Sequence, residues 1–190
     1  NEISIAQLEP SRPHARARGR GAALEALLVM NGRGGDFRPG FRAEWRSADG
    51  GATWSPPSTS TTLRDVNCEA ALVGVGSDTL YFSEPLGPGR TSFTLHCSCN
   101  GGRSVLHFFG CTVLHFFCLL IIFHILFLNY RRRTWNASNA LTVNPGAGAQ
   151  YSALVPLAAA GGGTKLLAIW EDHPNQRVGV FGTEWCKCLA

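Results

Sequence analysis

The sequence predicts an all-β chain forming part of a β-propeller, and three observations predict it. Ser47-Ala48-Asp49-Gly50-Gly51-Ala52-Thr53-Trp54 reads as an intact Asp box. Ser98-Cys99-Asn100-Gly101-Gly102-Arg103 reads as the opening of a second, whose ending, Thr134-Trp135, lies beyond a hydrophobic segment; removing residues 104–133 restores S-C-N-G-G-R-T-W. Boxes of the form S-x-D-x-G-x-T-W recur once per blade in some propellers, and repetition identifies such an architecture before any residue identifies a chemistry. The remaining observations are a succession of short apolar or alternating runs punctuated by Gly, Pro and Asn, and the lack of any need for a long amphipathic helix outside the hydrophobic segment.

In chain order, residues 1–8 form a strand through the partial alternation of Ile3, Ile5 and Leu8. Residues 10–21, rich in Arg, Ala and Gly, have the composition of a loop. Leu27-Leu28-Val29-Met30 gives a short buried strand, and residues 41–45 alternate aromatic and polar side chains up to the first box, a strand entering a hairpin turn. The turn suits Asp, whose side chain bonds the local backbone, and Gly, which accepts positive φ. Trp54 is expected to anchor the next strand in a core between sheets. Residues 70–75, 79–83 and 92–97 are further strands, and 151–157, 166–170 and 178–181 continue the pattern after the interruption.

A chain of 190 residues can bury a sizeable core but is short for a complete propeller, so a fragment of a longer protein is expected. It begins at Asn1 without an initiator Met or a signal-like start. The net charge of +4 comes largely from Arg16-Arg18-Arg20 and Arg131-Arg132-Arg133, and no nucleic-acid-binding module accompanies it, so no nucleic-acid partner is expected. Of seven Cys, Cys97-x-Cys99 and Cys186-x-Cys188 lack the spacing and His partners of a zinc site; buried or adventitious thiols and no metal are the expectation. Asn136-Ala137-Ser138 is a glycosylation sequon, relevant only in a secretory lumen.

The hydrophobic segment has no Asp, Glu, Lys or Arg from Val105 to Leu128 and is followed by three Arg. That length and charge pattern suit a membrane-spanning helix with a basic anchor. His107, His115 and His124 weaken the pattern slightly and are read as packed residues, not ligands. Phe, Leu, Ile and Tyr can use T-rich codons, whereas the surrounding Ala, Gly, Arg and Pro require G/C-rich ones, so translated intron sequence is the other reading and a buried insertion a third. The division is 1–103, a propeller fragment; 104–133, the insert; and 134–190, the continuation. A spanning helix would put Arg33 and Arg90 on the opposite side of a bilayer from Tyr151 and Glu171.

Several motifs together resemble the C-terminal half of the exo-α-sialidase (neuraminidase) family. Met30-Asn31-Gly32-Arg33, followed by Arg38, Phe41 and the first box, resembles the strand bearing the second arginine of the family's carboxylate-binding triad. Leu80-Tyr81-Phe82-Ser83-Glu84-Pro85 and then Arg90 resembles the strand and loop bearing the third. Tyr151-Ser152-Ala153-Leu154 resembles the segment of the tyrosine nucleophile, and residues 166–171 the strand ending in a glutamate, here Glu171, that supports the first triad arginine. The resemblance covers most of the chain outside the Arg-rich loop and the insert. It implies a six-bladed propeller, sialylated glycans as partners, no cofactor, and a lysosomal, extracellular or membrane-associated setting.

The chemistry requires these residue types together. A sialic acid carries a carboxylate on its anomeric carbon, which guanidinium groups bind bidentately. That carboxylate would repel an Asp or Glu nucleophile, whereas a neutral Tyr avoids the clash. A carboxylate must then take the phenol proton. Glu2 is the candidate base, since Glu2-Ile3-Ser4-Ile5-Ala6-Gln7-Leu8 resembles the family's E-x-x-V-x-E-L strand with Gln7 for the second acid. A competing alignment makes Glu25 the second acid and leaves Arg20 in the base position; Glu69 reads as a surface or structural carboxylate. The first triad arginine and the acid/base aspartate have no counterpart: Arg12-Pro13 lacks the isoleucine of the R-I-P motif, and Asp36 and Asp49 stand in other contexts. The expected function is therefore a fragment of a retaining exo-α-sialidase, acting on glycoproteins, glycolipids or oligosaccharides when complete and inefficient as given. The alternative is a non-catalytic sialoglycan-binding or structural Asp-box propeller protein, which residues 105–128 could anchor in a membrane.

Overall fold

A computed structural model of the chain describes residues 2–10, 27–35, 37, 39–101, 135 and 140–186. The readings made for the Arg-rich loop, the 104–133 insert, the sequon, Cys188, Arg20, Glu25, Asp36 and Arg38 fall outside those residues. Among the described residues there is no helix long and apolar enough to cross a membrane.

Three antiparallel sheets account for the described fold. The first is β1 (Ile3–Leu8), β2 (Leu27–Arg33), β3 (Phe41–Ser47) and β4 (Ser58–Arg64) in that order. The second is β5 (Ala71–Val75), β6 (Thr79–Gly87), β7 (Thr91–Ser98) and β8 (Ala140–Thr142). The third places β10 (Thr164–Asp172) between β9 (Ser152–Ala158) and β11 (Asn175–Gly182). The described residues form no closed propeller.

Period-2 alternation makes the second sheet the middle layer. Leu72, Leu80 and Phe82 enter a core with Ala6, Leu8, Val29, Leu63 and Trp135, while Tyr81, Phe93, Leu95 and Cys97 enter another with Leu154, Leu166, Ala168 and Trp170. Phe93 stacks on Trp170 with ring centroids 4.5 Å apart. The first two sheets approach closely: a Cβ on Gly74 would lie 2.1 Å from the Gln7 carbonyl oxygen, so only glycine fits there. Large apolar side chains remain exposed on the terminal sheets: Ile3 and Ile5 on the first, Val155, Ile169, Val178 and Val180 on the third.

The 47–54 turn joining β3 to β4 is closed by its own side chains. Asp49 Oδ1 accepts from the Ser47 hydroxyl at 2.7 Å and the Thr53 amide at 2.9 Å, and Asp49 Oδ2 accepts from the Thr53 hydroxyl at 2.5 Å. Bonds from Thr53 and Ser47 hold the Asp49 carboxyl at about 2, below its ordinary value. A depressed acid stabilises the folded state above its unfolded pKa of about 3.9, and that contribution is lost as pH falls through about 2. Asp49→Asn is therefore expected to lower the unfolding midpoint at pH 6 and to flatten its decline between pH 4 and pH 2, checked by thermal melts across pH. An unchanged acid limb would refute the assignment.

Trp54 departs from expectation: it is half-buried, and its indole N–H donates to the Gly51 carbonyl at 3.1 Å. Trp135 takes the place in the core, edge-on to Phe82 at 5.9 Å. The strands that flank the insert, β7 and β8, pair antiparallel, with His96 opposite Ala140. Ser98 donates to Asn100 Oδ1 at 2.9 Å, the counterpart of Ser47 to Asp49.

Candidate functional site

Two of the proposed arginines, from different sheets, meet at one polar bend. Arg33 closes β2, where its Nη1 lies 3.6 Å from Glu2 Oε2 and its Nε 4.0 Å from Asp65 Oδ1. Asp65 stands just after β4; its Oδ2 accepts from the Gly34 amide at 3.0 Å and its Oδ1 from the Asn67 amide at 2.9 Å. The Asn67 carbonyl in turn accepts from Arg90 Nη2 at 2.6 Å. The 65–68 bend thus touches both guanidinium groups.

Arg90 lies in the β6–β7 hairpin turn, where Gly89 and Arg90 have φ of 66° and 61°. The loop is the three residues between the paired Gly87 and Thr91, and a long side chain in left-handed backbone there carries a cost that local contacts must offset. Those contacts are present: besides its bond to Asn67, Arg90 offers its carbonyl to the Ala149 amide at 2.8 Å. That bond draws the 147–150 segment toward the turn and delivers Tyr151, whose ring centroid is 5.9 Å from the Arg90 guanidinium carbon. Tyr151 is 39% exposed, so its hydroxyl-bearing ring is open to a ligand. On its other side the Glu171 amide donates to the Tyr151 carbonyl at 3.0 Å, and the Gln150 amide to the Glu171 carbonyl at 2.8 Å. Ser83 and Ser152 hydroxyls meet at 2.8 Å beside it, joining the second and third sheets.

Glu2, Arg33, Arg90, Tyr151 and Glu171 therefore line one edge of the three sheets. Their pairings are specific: the Glu2 carboxylate faces Arg33, the Tyr151 ring faces Arg90, and Glu171 joins Tyr151 through the main chain. Cys68 is buried among them; burial pushes its thiol up, as the Glu2 charge also does, while Arg90 and Arg42 oppose the rise.

Behind the bend lies a buried charged cluster that the sequence alone did not single out. Arg42 and Glu84 are 1% and 0% exposed, with Arg42 Nε 3.6 Å from Glu84 Oε2 and His96 Nε2 3.2 Å from Glu84 Oε1. Arg42 Nη2 donates to the Cys68 carbonyl at 2.6 Å, and the Arg64 amide donates to Glu84 Oε1 at 3.2 Å. A charged residue at an inward-facing strand position was the available signal, because such residues are almost never fully buried unless paired.

The expectation of unpaired thiols is corrected at Cys97 and Cys186, which form a disulfide. Cys99 Sγ lies 3.8 Å from Cys186 Sγ, and the three sulfurs fall within 4.8 Å of one another. Spacing could not reveal this, since folding alone joins positions 89 apart.

No known family profile matches the chain, and no curated protein does. Among solved structures the chain is similar to a leech intramolecular trans-sialidase complexed with 2,7-anhydro-Neu5Ac, prepared by soaking with 3′-sialyllactose. The TM-score is 0.55 and the identity 14%; the match covers 84% of this chain and 22% of that one. The likeness is one of fold, and this chain spans about a fifth of the neighbour's length.

Proposed function

We propose that the chain is part of the catalytic propeller of a retaining exo-α-sialidase, with Arg33 and Arg90 binding the carboxylate of a terminal sialic acid and Tyr151 acting as nucleophile. The observation that carries this reading is the convergence of Arg33 and Arg90 on one bend, with the exposed Tyr151 ring beside Arg90. Two guanidinium groups would fix the sugar's carboxylate by charge-assisted bonds, and a neutral phenol can approach the adjacent anomeric carbon where an anionic nucleophile would be repelled. Glu2 would take the phenol proton after turning from Arg33, and Glu171 would support an arginine supplied by another part of the propeller. The exposed apolar faces of the first and third sheets fit packing against further blades. Residues 104–133 are read as an interruption of the β7–β8 hairpin, supported by the Ser98–Asn100 bond before them, which repeats Ser47–Asp49, and by the antiparallel pairing of the strands on either side.

A second reading, sialoglycan binding without turnover, is favoured by one feature: the Glu2 carboxylate faces Arg33 rather than Tyr151. One experiment separates the two. The chain lacking 104–133 is joined to a sialidase N-terminal half that supplies the first arginine and the acid/base aspartate, then assayed with a fluorogenic sialoside. Release of the fluorophore is expected; sialoside binding without release supports the second reading, and neither binding nor release sinks both.

A further inference from the structure

We infer that the 65–68 bend, latched from behind by Arg42 and Glu84, is the positioning element of the site, setting where Arg33 and Arg90 present their guanidinium groups. This rests on the reading of those arginines as a carboxylate-binding pair. Asp65 acts on Arg33 by charge at 4.0 Å and on the bend itself through the Gly34 and Asn67 amides. Asn67 acts on Arg90 through its carbonyl, which can point there because Asn67 has φ of 63°, a conformation open to Asn and Gly but strained for β-branched residues.

The latch holds both ends of the bend. Glu84 Oε1 accepts from the Arg64 amide at one end, while Arg42 Nη2 donates to the Cys68 carbonyl at the other. The two side chains face each other at 3.6 Å within the interior. A buried ion pair is a weak source of net stability, because desolvation offsets much of the attraction; the hold on the bend comes from the main-chain hydrogen bond that each of the two side chains makes. The pair's place here, between β3 of the first sheet and β6 of the second, fixes the bend relative to both sheets that carry the arginines. Asp65, Asn67, Arg42 and Glu84 are thus positioning residues, acting through the two arginines.

The test uses the full chain and two probes, N-acetylneuraminic acid and its methyl ester, compared by ligand-observed NMR. The wild type is expected to favour the free acid by roughly tenfold, the scale of one charge-assisted contact. Asp65→Asn is expected to reduce that preference to about twofold, and Asn67→Val to do likewise while Asn67→Gly retains it. General loosening of the fold would weaken both probes alike and leave the ratio unchanged. A ratio that stays near the wild-type value in both Asp65→Asn and Asn67→Val, with thermal melts unchanged, overturns the inference. A wild type with no preference overturns the carboxylate-site reading instead. In that case guanidinium rotation decides the positioning: NMR of the unliganded chain should show Arg33 rotating faster in Asp65→Asn, and Arg90 in Asn67→Val but not Asn67→Gly, and wild-type rates in both disprove it. Should Asp65→Asn fail to fold, the contrast between Asn67→Val and Asn67→Gly decides the question by itself.

Discussion

Tyr151→Phe, in the chain completed by a sialidase N-terminal half and freed of residues 104–133, is expected to lower sialoside hydrolysis by about 10³-fold or more, the scale of losing a catalytic nucleophile. The substitution removes one oxygen and leaves the ring in place. Because the Arg90 guanidinium carbon sits 5.9 Å from the ring centroid, the cation–π contact survives in the phenylalanine variant. Ground-state affinity for the sialoside should therefore stay within about threefold, placing the loss in kcat rather than KM. Arg33→Lys should behave differently. It keeps the charge but loses the planar fork that can bind a carboxylate bidentately, so KM should rise by roughly ten- to hundredfold with a smaller change in kcat. Steady-state kinetics on the two variants supply the contrast. Hydrolysis surviving in Tyr151→Phe would remove the tyrosine from its assigned role, whatever the arginines do.

Much of the strand pattern is legible in the sequence because burial writes itself as alternation. In β6, Leu80 and Phe82 face one core and Tyr81 the other, and the run reads as a strand without any tertiary information. The structure extends that strand to Gly87, beyond the expected end at Ser83, because Glu84 finds buried partners in Arg42 and His96 that a hydrophobicity pattern cannot anticipate. β4 and β8 are hidden from such a pattern for other reasons. Ser58–Arg64 has Leu63 as its one aliphatic residue and forms by pairing with β3 across an irregular register, and Ala140–Thr142 is only three residues long. The candidate site is legible at Arg33, Arg90 and Tyr151 through local motifs. The Asp65 bend is not, because its role lies in carbonyl and amide directions set by Asn67 at positive φ. Trp54 and Trp135 show the same limit: two similar motifs place one indole at a turn and the other in a core, and the difference lies in the sheet packed alongside.

Reduction of the Cys97–Cys186 disulfide is expected to cost the fold about 4 kcal/mol, and the third sheet should be the first part to loosen. The bond joins β7 to the segment just after β11 across a sequence separation of 89. In the chain-entropy account a loop of that size restricts the unfolded state by about 4–5 kcal/mol, a figure that rises only slowly with length. Deleting residues 104–133 shortens the loop, yet the logarithmic dependence changes the contribution by only roughly 0.4 kcal/mol. The loss on reduction should therefore be nearly the same with and without the insert. Its structural consequence is directional: Cys97 belongs to the core that holds Leu154, Leu166 and Trp170, and neighbouring Trp185 packs edge-on against Tyr81 at 6.0 Å. Freed from Cys97, β11 keeps its pairing with β10 but loses its tether to the second sheet, and the contact between Tyr151 and Arg90 depends on those sheets staying together. Urea denaturation with and without dithiothreitol, repeated on Cys186→Ser, measures the cost; hydrogen exchange of the β9–β11 amides shows where the fold opens. A midpoint indifferent to reductant, or faster exchange confined to the first sheet, would show that the bond does not hold the third sheet in place.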